Sequence, residues 1–177
     1  MEKSNIDEKI KLLTGSGMWH TQEVEDLPSV HLSDGPHGLR KQEEKERQNN
    51  VSLVSTCYPT ASALACSWDV TAAERLGRAV AKEAWNADVA VLLGPGINMK
   101  RSPLCGRNFE YFSEDPFLAG RLGAAYVSAA QGEDVAVSLK HFAANNQETN
   151  RQTANSQIDE RALREIYLSA FEYVVKT

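Results

Sequence analysis

The runs DVAVLLGPGIN at residues 88–98 and VAVSLKHF at residues 135–142 decide the fold. Each is nearly continuous in valine, leucine and alanine until it changes to glycine, proline or charged residues. Such runs are typical of strands that are covered on both faces of a parallel sheet. We therefore predict strands at residues 88–93 and 135–139.

Two other short apolar runs have strand character, residues 27–32 and 58–65, and they bring the predicted strands to four. Strand and helix alternate over most of the chain. This order indicates right-handed strand–helix–strand units, which occur in open doubly wound sheets and in closed barrels. The charged segment at residues 41–50 is predicted to be a solvated loop.

Apolar periodicity and acidic residues at helix starts predict four helices. Asp69, Asp115 and Asp159 each precede one of the three longer helices, and Thr71 with Glu74 makes a predicted capping box in the first of these. The predicted helices cover residues 6–13, 70–86, 116–131 and 160 to the last turn.

Polar residues follow the predicted strands directly, and their position favours a barrel. They occur in SDGPH (33–37), GPGIN (94–98) and KHF (140–142). Barrel enzymes have their sites at the carboxyl ends of the strands. An open nucleotide-binding sheet would have a GxGxxG or GxxxxGK[ST] loop, and neither occurs here. We predict an α/β fold with about four of the eight strands of a (β/α)8 barrel.

Composition and charge exclude several classes of partner. Hydrophobic residues make up 42% of the 177 and charged residues 24%, which is typical of a soluble globular protein with one core. The net charge is −5, and no segment combines clustered basic residues with aromatic ones. Nucleic acid and membrane surfaces are therefore not expected as partners.

The ends and the cysteines indicate a cytoplasmic protein. The first residues, MEKSNIDEKIKLL, are too charged for a signal peptide, and no run approaches the roughly 20 apolar residues of a membrane-spanning helix. Cys57, Cys66 and Cys105 have no metal-site or disulfide-framework spacing. We expect them to be reduced, buried core residues.

No metal ion or cofactor is predicted. None of the histidines, His20, His31, His37 and His141, lies in an HExxH pattern or beside a second ligand.

Lys140 ends an apolar strand, and burial of an unpaired ammonium group is costly, so it needs a carboxylate or a ligand nearby.

The motifs at the strand ends carry a resemblance. In chain order they are SDGPHGLR (33–40), YPTA (58–61), GPGIN (94–98), RSPLCGRNFE (101–110) and KHF (140–142). Together they resemble the N-terminal domain of family-3 glycoside hydrolases, and the likeness extends from residue 12 to the last helix. The loop AANNQETNR (143–151) is similar to the β-glucosidase branch of that family.

The resemblance implies which residues bind sugar. Asp34 matches the family position that accepts hydrogen bonds from hydroxyls at the non-reducing end of the sugar. The matching cationic lining around the same ring is Arg40, Arg107, Lys140, His141 and Arg151.

Each assignment has a structural alternative. Asp34 could serve only the Asp-Gly-Pro turn, and Lys140 could form a purely structural ion pair. Arg107 could pair with Glu110 or Glu114 in its own loop. Arg40 and Arg151 lie in loops where a solvated arginine is the ordinary outcome.

The resemblance also implies what this chain lacks. Retaining glycosidases use two carboxylates about 5 Å apart. The family's nucleophile is an aspartate in a Ser-Asp-Trp type of motif on a later strand, and its acid/base residue comes later still. Residues 1–177 are therefore expected to be an incomplete N-terminal portion of a barrel, inactive alone.

The resemblance implies a substrate, and an incomplete barrel implies an associating partner. The parent enzyme would remove terminal β-D-glucosyl residues, with a β-glucoside or oligosaccharide as substrate. The unpaired strand edges predict self-association or completion by the missing half of the barrel. The competing hypothesis is a non-catalytic carbohydrate-binding or remnant fragment.

Overall fold

The fold alternates short parallel strands with helices. The computed structural model of the chain describes residues 6–42 and 51–177. In these ranges the strands are β1 (Leu32–Ser33), β2 (Val91–Leu92) and β3 (Ala136–Val137). The helices are α1 (Ile6–Lys11), α2 (Ala61–Ala65), α3 (Val70–Asn86), α4 (Pro116–Gln131), α5 (Glu160–Ala162) and α6 (Ser169–Lys176). Residues 43–50 of the predicted charged loop lie outside the described residues.

The three strands form one parallel sheet in the order β1, β2, β3. Leu32 lies opposite Val91, and Val91 lies opposite Ala136. Sequential order without a reversal is that of a barrel segment, whereas a doubly wound sheet reverses its strand order. All three strands have their carboxyl ends at one edge, so the residues that follow them are brought together there.

The strand predicted at residues 58–65 is wrong, and the described part of the chain has three strands instead of four. Residues 61–65 form α2, which begins after Thr60. The Thr60 hydroxyl accepts a hydrogen bond from the backbone nitrogen of Ala63 at 3.2 Å. A threonine cap followed by three alanines in five residues favours a helix, and this local signal outweighs the apolar character of the run.

The predicted starts and ends of α3 and α4 are confirmed, with one correction. The Asp115 carboxylate caps α4 by accepting from the backbone nitrogens of Phe117 at 3.0 Å and Leu118 at 3.3 Å. In α3 the cap is Asp69, which accepts from the Thr71 nitrogen at 2.9 Å. The predicted Thr71 and Glu74 box is therefore replaced by the acidic residue that precedes it.

A large part of the core lies between α3 and α4. The apolar stripe of α3, Ala73, Leu76, Val80 and Ala84, is at most 8% exposed. The two helices approach closely at Gly77, where an added Cβ would lie 2.4 Å from the backbone oxygen of Tyr126. Glycine at this position sets the helix separation, because any side chain would force the helices apart.

The last predicted helix is interrupted. Asp159 caps α5 as expected, accepting from the Ala162 nitrogen at 2.9 Å. A π-helical turn at Leu163–Tyr167 then separates α5 from α6. The Leu168 nitrogen donates to the Leu163 oxygen at 2.9 Å, which is the i to i+5 bond of such a turn. Apolar periodicity does not reveal one extra residue in a turn.

The expected burial of the cysteines holds for only one of them. Cys105 is buried, but Cys57 and Cys66 are exposed, so only one of the three free thiols is a core residue. The short helix predicted at residues 6–13 is present as α1, which ends at Lys11 and has no buried residue. No helix in the described ranges is long and apolar enough to cross a membrane.

Candidate functional site

The strand ends bring Asp34 and Lys140 together although they are 106 residues apart. Asp34 follows β1 directly, and Lys140 lies three residues beyond β3. The Lys140 ammonium donates to Asp34 Oδ1 at 2.8 Å. Both side chains are largely covered, with 13% of Lys140 and 27% of Asp34 exposed. Asp34 therefore supplies the carboxylate that the sequence analysis expected near Lys140.

Glu110 is a buried carboxylate that contacts two cations. Its side chain is 2% exposed and lies at the end of a short 3-10 helix, Asn108–Glu110. It accepts a hydrogen bond from Arg107 Nε and lies 3.4 Å from Lys140 Nζ. Arg107 is thus paired with Glu110, as one of the sequence-based alternatives had it. The contact with Lys140 was not foreseen.

Glu148 links two more of the predicted cations. Its carboxylate lies 3.6 Å from Arg107 Nη1 and 3.0 Å from Arg151 Nη1. The Arg151 side chain is 59% exposed, so it lies at the rim of the cluster. Arg107, Lys140 and Arg151 therefore belong to one ion-pair network with Asp34, Glu110 and Glu148.

His141 is held through its backbone and its ring. Asn98, which is 3% exposed, accepts from the His141 backbone nitrogen at 2.6 Å and donates to the His141 oxygen at 2.9 Å. The ring atom Nδ1 lies 2.9 Å from the Tyr111 hydroxyl. Asn145 donates to that hydroxyl at 2.9 Å and to Glu148 at 2.8 Å.

Arg40 stands apart from the network. Its backbone nitrogen donates to the Asp34 backbone oxygen at 2.8 Å, but its side chain is exposed and makes no ion pair with another described residue. It lines an open cavity of about 320 Å³ together with Gly35, His37 and Phe109. The cavity lies beside the Asp34 turn, so Arg40 borders the site from outside.

The turn after Asp34 depends on glycine. Gly35 has φ of 148°, and an added Cβ would lie 2.0 Å from the backbone oxygen of Gly38. Other residues rarely adopt this backbone conformation, so glycine lets the chain reverse directly after Asp34. Asp34 therefore has both roles considered for it, in the turn and in the cluster of charges.

The charges of the cluster set the protonation states of its acids. Burial alone would raise the pKa of Asp34, but the hydrogen bond and charge of Lys140 outweigh it and hold that pKa below its ordinary value. Burial would also raise the pKa of Glu148, and Asn145 with Arg107 and Arg151 lowers it instead. Both groups are thus carboxylates at neutral pH and act as hydrogen-bond acceptors.

The cations and the histidine respond to the same environment. Burial would lower the pKa of Arg107, and Glu110 raises it. The pKa of His141 is lowered to about 4, first by burial and then by the charges of Arg107 and Lys140. His141 is therefore a neutral imidazole at pH 7.

The arrangement suits a ligand with several hydroxyl groups. Ionised acceptors alternate with cationic and neutral donors around one polar surface at the carboxyl edge of the sheet, and hydroxyls are donors and acceptors together. Neither Asp34 nor Glu148 has the raised pKa of a general acid, and Glu110 is too buried to reach a ligand. Within residues 6–42 and 51–177, no three His, Cys, Asp or Glu side chains form a group that could hold a metal ion.

Several residues of the site were missed by reasoning from the sequence. Asn98, Tyr111 and Asn145 support His141, and Glu148 links Arg107 to Arg151. Asn98 could have been found from its place in the sequence, because it ends the GPGIN segment that follows a predicted strand. The pairing of Glu148 with Arg107 had no comparable signal.

A family model identifies the class of protein to which this fold belongs. The model of the glycosyl hydrolase family 3 N-terminal domain matches residues 31–177. The chain belongs to that family.

The relatives carry two kinds of names. The chain is 51% identical to the thermostable β-glucosidase B of Acetivibrio thermocellus, with 99% of this chain and 24% of the relative covered. It is 48% identical to an exo-α-(1→6)-L-arabinopyranosidase of Bifidobacterium longum, with 97% and 23% covered. The chain thus spans about a quarter of the length of these relatives.

Solved structures agree on the fold. The family-3 β-glucosidase of Bifidobacterium adolescentis superposes with a TM-score of 0.89 at 47% identity, covering 98% of this chain and 25% of that one. The β-glucosidase of Kluyveromyces marxianus in complex with glucose gives 0.90 at 44% identity, covering 98% and 21%. The predicted α/β fold is confirmed as the N-terminal part of a (β/α)8 barrel.

Proposed function

We propose that this chain supplies most of the sugar-binding subsite of a retaining β-glucosidase that releases terminal, non-reducing β-D-glucosyl residues. The observation that carries the proposal is the network of Asp34, Lys140, Glu110 and Arg107 at the carboxyl edge of the sheet. In this proposal Asp34 accepts from sugar hydroxyls, while Lys140, Arg107 and His141 donate to them. Arg151 and Arg40 border the ring from the rim.

The chemical step is assigned to other parts of the enzyme. A retaining mechanism needs an ionised nucleophile and a carboxylic acid about 5 Å away. The sequence of residues 1–177 has no Ser-Asp-Trp motif. Asp34 and Glu148 both have lowered pKa values, so neither is suited to protonate a leaving oxygen. We therefore propose that the two catalytic carboxylates come from segments that the longer relatives possess in addition.

An L-arabinopyranoside is the second candidate substrate. It is favoured by one observation, the identity of 48% to an exo-α-(1→6)-L-arabinopyranosidase, which is close to the 51% for a β-glucosidase.

The cytoplasmic location that the sequence analysis expected stays a prediction.

The test uses the purified 177-residue chain after circular dichroism has shown it to be folded. We expect glucose to bind, detected by saturation-transfer NMR, and an aryl β-glucoside to remain uncleaved. Asp34→Asn removes the charge and is expected to weaken glucose binding at least tenfold, since a hydrogen bond to a charged group contributes about 1.5–3 kcal/mol. Asp134→Asn is the matched control, because Asp134 is exposed at the opposite end of β3.

The outcomes separate the alternatives. Release of the phenol by the folded chain would place the catalytic carboxylates inside residues 1–177 and contradict that part of the proposal. A folded chain that binds neither glucose nor L-arabinose would contradict the sugar-binding role. Preferential binding of L-arabinose would favour the second candidate.

We also propose that the open side of the sheet is covered by further strand–helix units of the same barrel. In the described part of the chain, β3 pairs only with β2. An open groove of about 450 Å³ is lined by four apolar side chains, Phe142, Leu168, Phe171 and Val175, and by the charged side chains of Arg164 and Glu172. Phe142 is 76% exposed and Val175 is 79% exposed. An unpaired strand edge and exposed large apolar side chains both favour association.

Sedimentation velocity tests this second proposal. The isolated chain is expected to self-associate at micromolar concentration, and Val175→Ser is expected to shift it toward monomer. Val54→Ser is the matched control, because Val54 is fully exposed in a loop outside the groove. A wild-type chain that stays monomeric would contradict the expectation that the uncovered edge and groove drive self-association.

A further inference from the structure

The buried hydroxyl of Tyr111 lies between His141 Nδ1 and Asn145 Nδ2. The positions of the protons on these groups determine whether His141 presents a hydrogen-bond donor or an acceptor to a ligand. Tyr111 is 0% exposed. Its hydroxyl is 2.9 Å from His141 Nδ1 and 2.9 Å from Asn145 Nδ2. A neutral imidazole carries one proton, on Nδ1 or on Nε2, and the two forms present opposite hydrogen-bonding groups to solvent.

The orientation of the Asn145 amide is fixed by Glu148. The amide nitrogen lies 2.8 Å from Glu148 Oε1. Glu148 is held as an acceptor-only carboxylate by Arg107 and Arg151. An amide oxygen in the same place would face a carboxylate oxygen with no proton between them. The nitrogen therefore faces Glu148, and its second proton is directed to the Tyr111 hydroxyl.

The Tyr111 proton then has one destination among the described residues. Because the hydroxyl oxygen accepts from Asn145, its own proton is available to His141 Nδ1, the other atom in contact with it. If Nδ1 carried a proton instead, the Tyr111 hydroxyl would accept twice and its proton would have no acceptor in the described ranges. Leaving a buried donor unsatisfied costs about 1–3 kcal/mol.

We propose that Tyr111 and Asn145 are positioning residues that hold His141 as the neutral tautomer with its proton on Nε2. The Nε2 atom has no hydrogen-bond partner among the described residues and is not among the buried unsatisfied atoms, so it is open to a ligand. Asn98 fixes the His141 backbone on both sides, which leaves the ring direction to Tyr111.

The consequence concerns the sugar and rests on the proposed function. With its proton on Nε2, His141 acts as a donor and recognises a hydroxyl oxygen that accepts. The proton of that hydroxyl stays available to an acceptor, and the carboxylates of Asp34 and Glu148 are acceptors at the same edge of the sheet.

Long-range proton–nitrogen NMR of the histidine side chains at pH 7 tests the tautomer directly. The resonances of His141 are assigned by their loss in His141→Gln. We expect the wild-type spectrum to show His141 protonated on Nε2 and not on Nδ1. Tyr111→Phe is expected to move a measurable fraction to the Nδ1-protonated form and to weaken glucose binding about 3- to 10-fold.

Tyr58→Phe is the matched control, because the Tyr58 hydroxyl contacts Glu83 at 2.7 Å and not this site. It should leave the tautomer unchanged. A wild-type His141 protonated on Nδ1 would overturn the inference, and this spectrum decides the matter even if Tyr111→Phe does not fold. The expected tautomer without glucose binding would contradict the proposed function alone, because the tautomer is read in the absence of sugar.

Discussion

Replacing Glu110 with glutamine is expected to lower the free energy of unfolding by about 3 kcal/mol. Glu110 is the most buried charged side chain of the network, and it contacts both Arg107 and Lys140. Removing its charge leaves two largely covered cations with fewer partners, and an uncompensated buried charge is costly. Urea unfolding at pH 7, followed by circular dichroism, measures the change.

Glu114→Gln is the matched control for this prediction. Glu114 lies four residues further along the same loop and is exposed. Its replacement should change the free energy of unfolding by less than about 0.5 kcal/mol. Equal, small effects of the two substitutions would show that Glu110 does not stabilise the cations. A double-mutant cycle with Lys140→Met should show coupling, because the two side chains lie 3.4 Å apart.

Acidification from pH 7 to pH 5 is expected to destabilise the wild-type chain through His141. Its pKa is lowered from 6.5 to about 4 in the folded state, first by burial and then by Arg107 and Lys140. Between these values the unfolded chain binds a proton that the folded chain does not. The contribution of His141 is therefore complete above pH 6.5 and is lost as the pH falls toward 4. We expect a loss of about 1–2 kcal/mol between pH 7 and pH 5.

The comparison with His141→Gln isolates this effect. That variant should lose less stability than the wild type over the same interval, because it has no imidazole at this position to protonate. Asp34 and Glu148 also have lowered pKa values, so their contributions disappear as the pH falls below their ordinary values near 4. The stability contributions of these two carboxylates therefore change mainly below pH 5, outside the interval in which His141 is expected to act. Identical pH profiles for the wild type and His141→Gln would contradict the prediction.

Local signals predicted the parts of the fold that a few neighbouring residues determine. Asp115 followed by Pro116 predicted the start of α4, and the carboxylate does cap that helix. The error at residues 58–65 has the same origin. The run was read by its apolar character, while the cap at Thr60 and the helix-favouring alanines determined its structure.

The site residues also fall into two groups, those that sequence motifs predicted and those that were missed. Motif positions predicted Asp34, Arg107, Lys140, His141 and Arg151, and the structure places these five in one cluster or at its rim. Arg40 was predicted with them, but its side chain lies outside the ion-pair network. The residues that were missed act on the predicted ones by contact, as Tyr111 does on His141 and as Glu148 does on Arg107.

The sequence by itself determined the alternation of strands and helices, the helix caps and the concentration of polar residues at strand ends. Each of these depends on interactions within about four residues of the chain. Only the tertiary structure decided which charges meet. Asp34 and Lys140 are 106 residues apart, and the parallel register that aligns β1, β2 and β3 brings them within 2.8 Å. The lowered pKa of His141 is decided in the same way, because it depends on burial and on the charges of Arg107 and Lys140, which only the folded chain brings together.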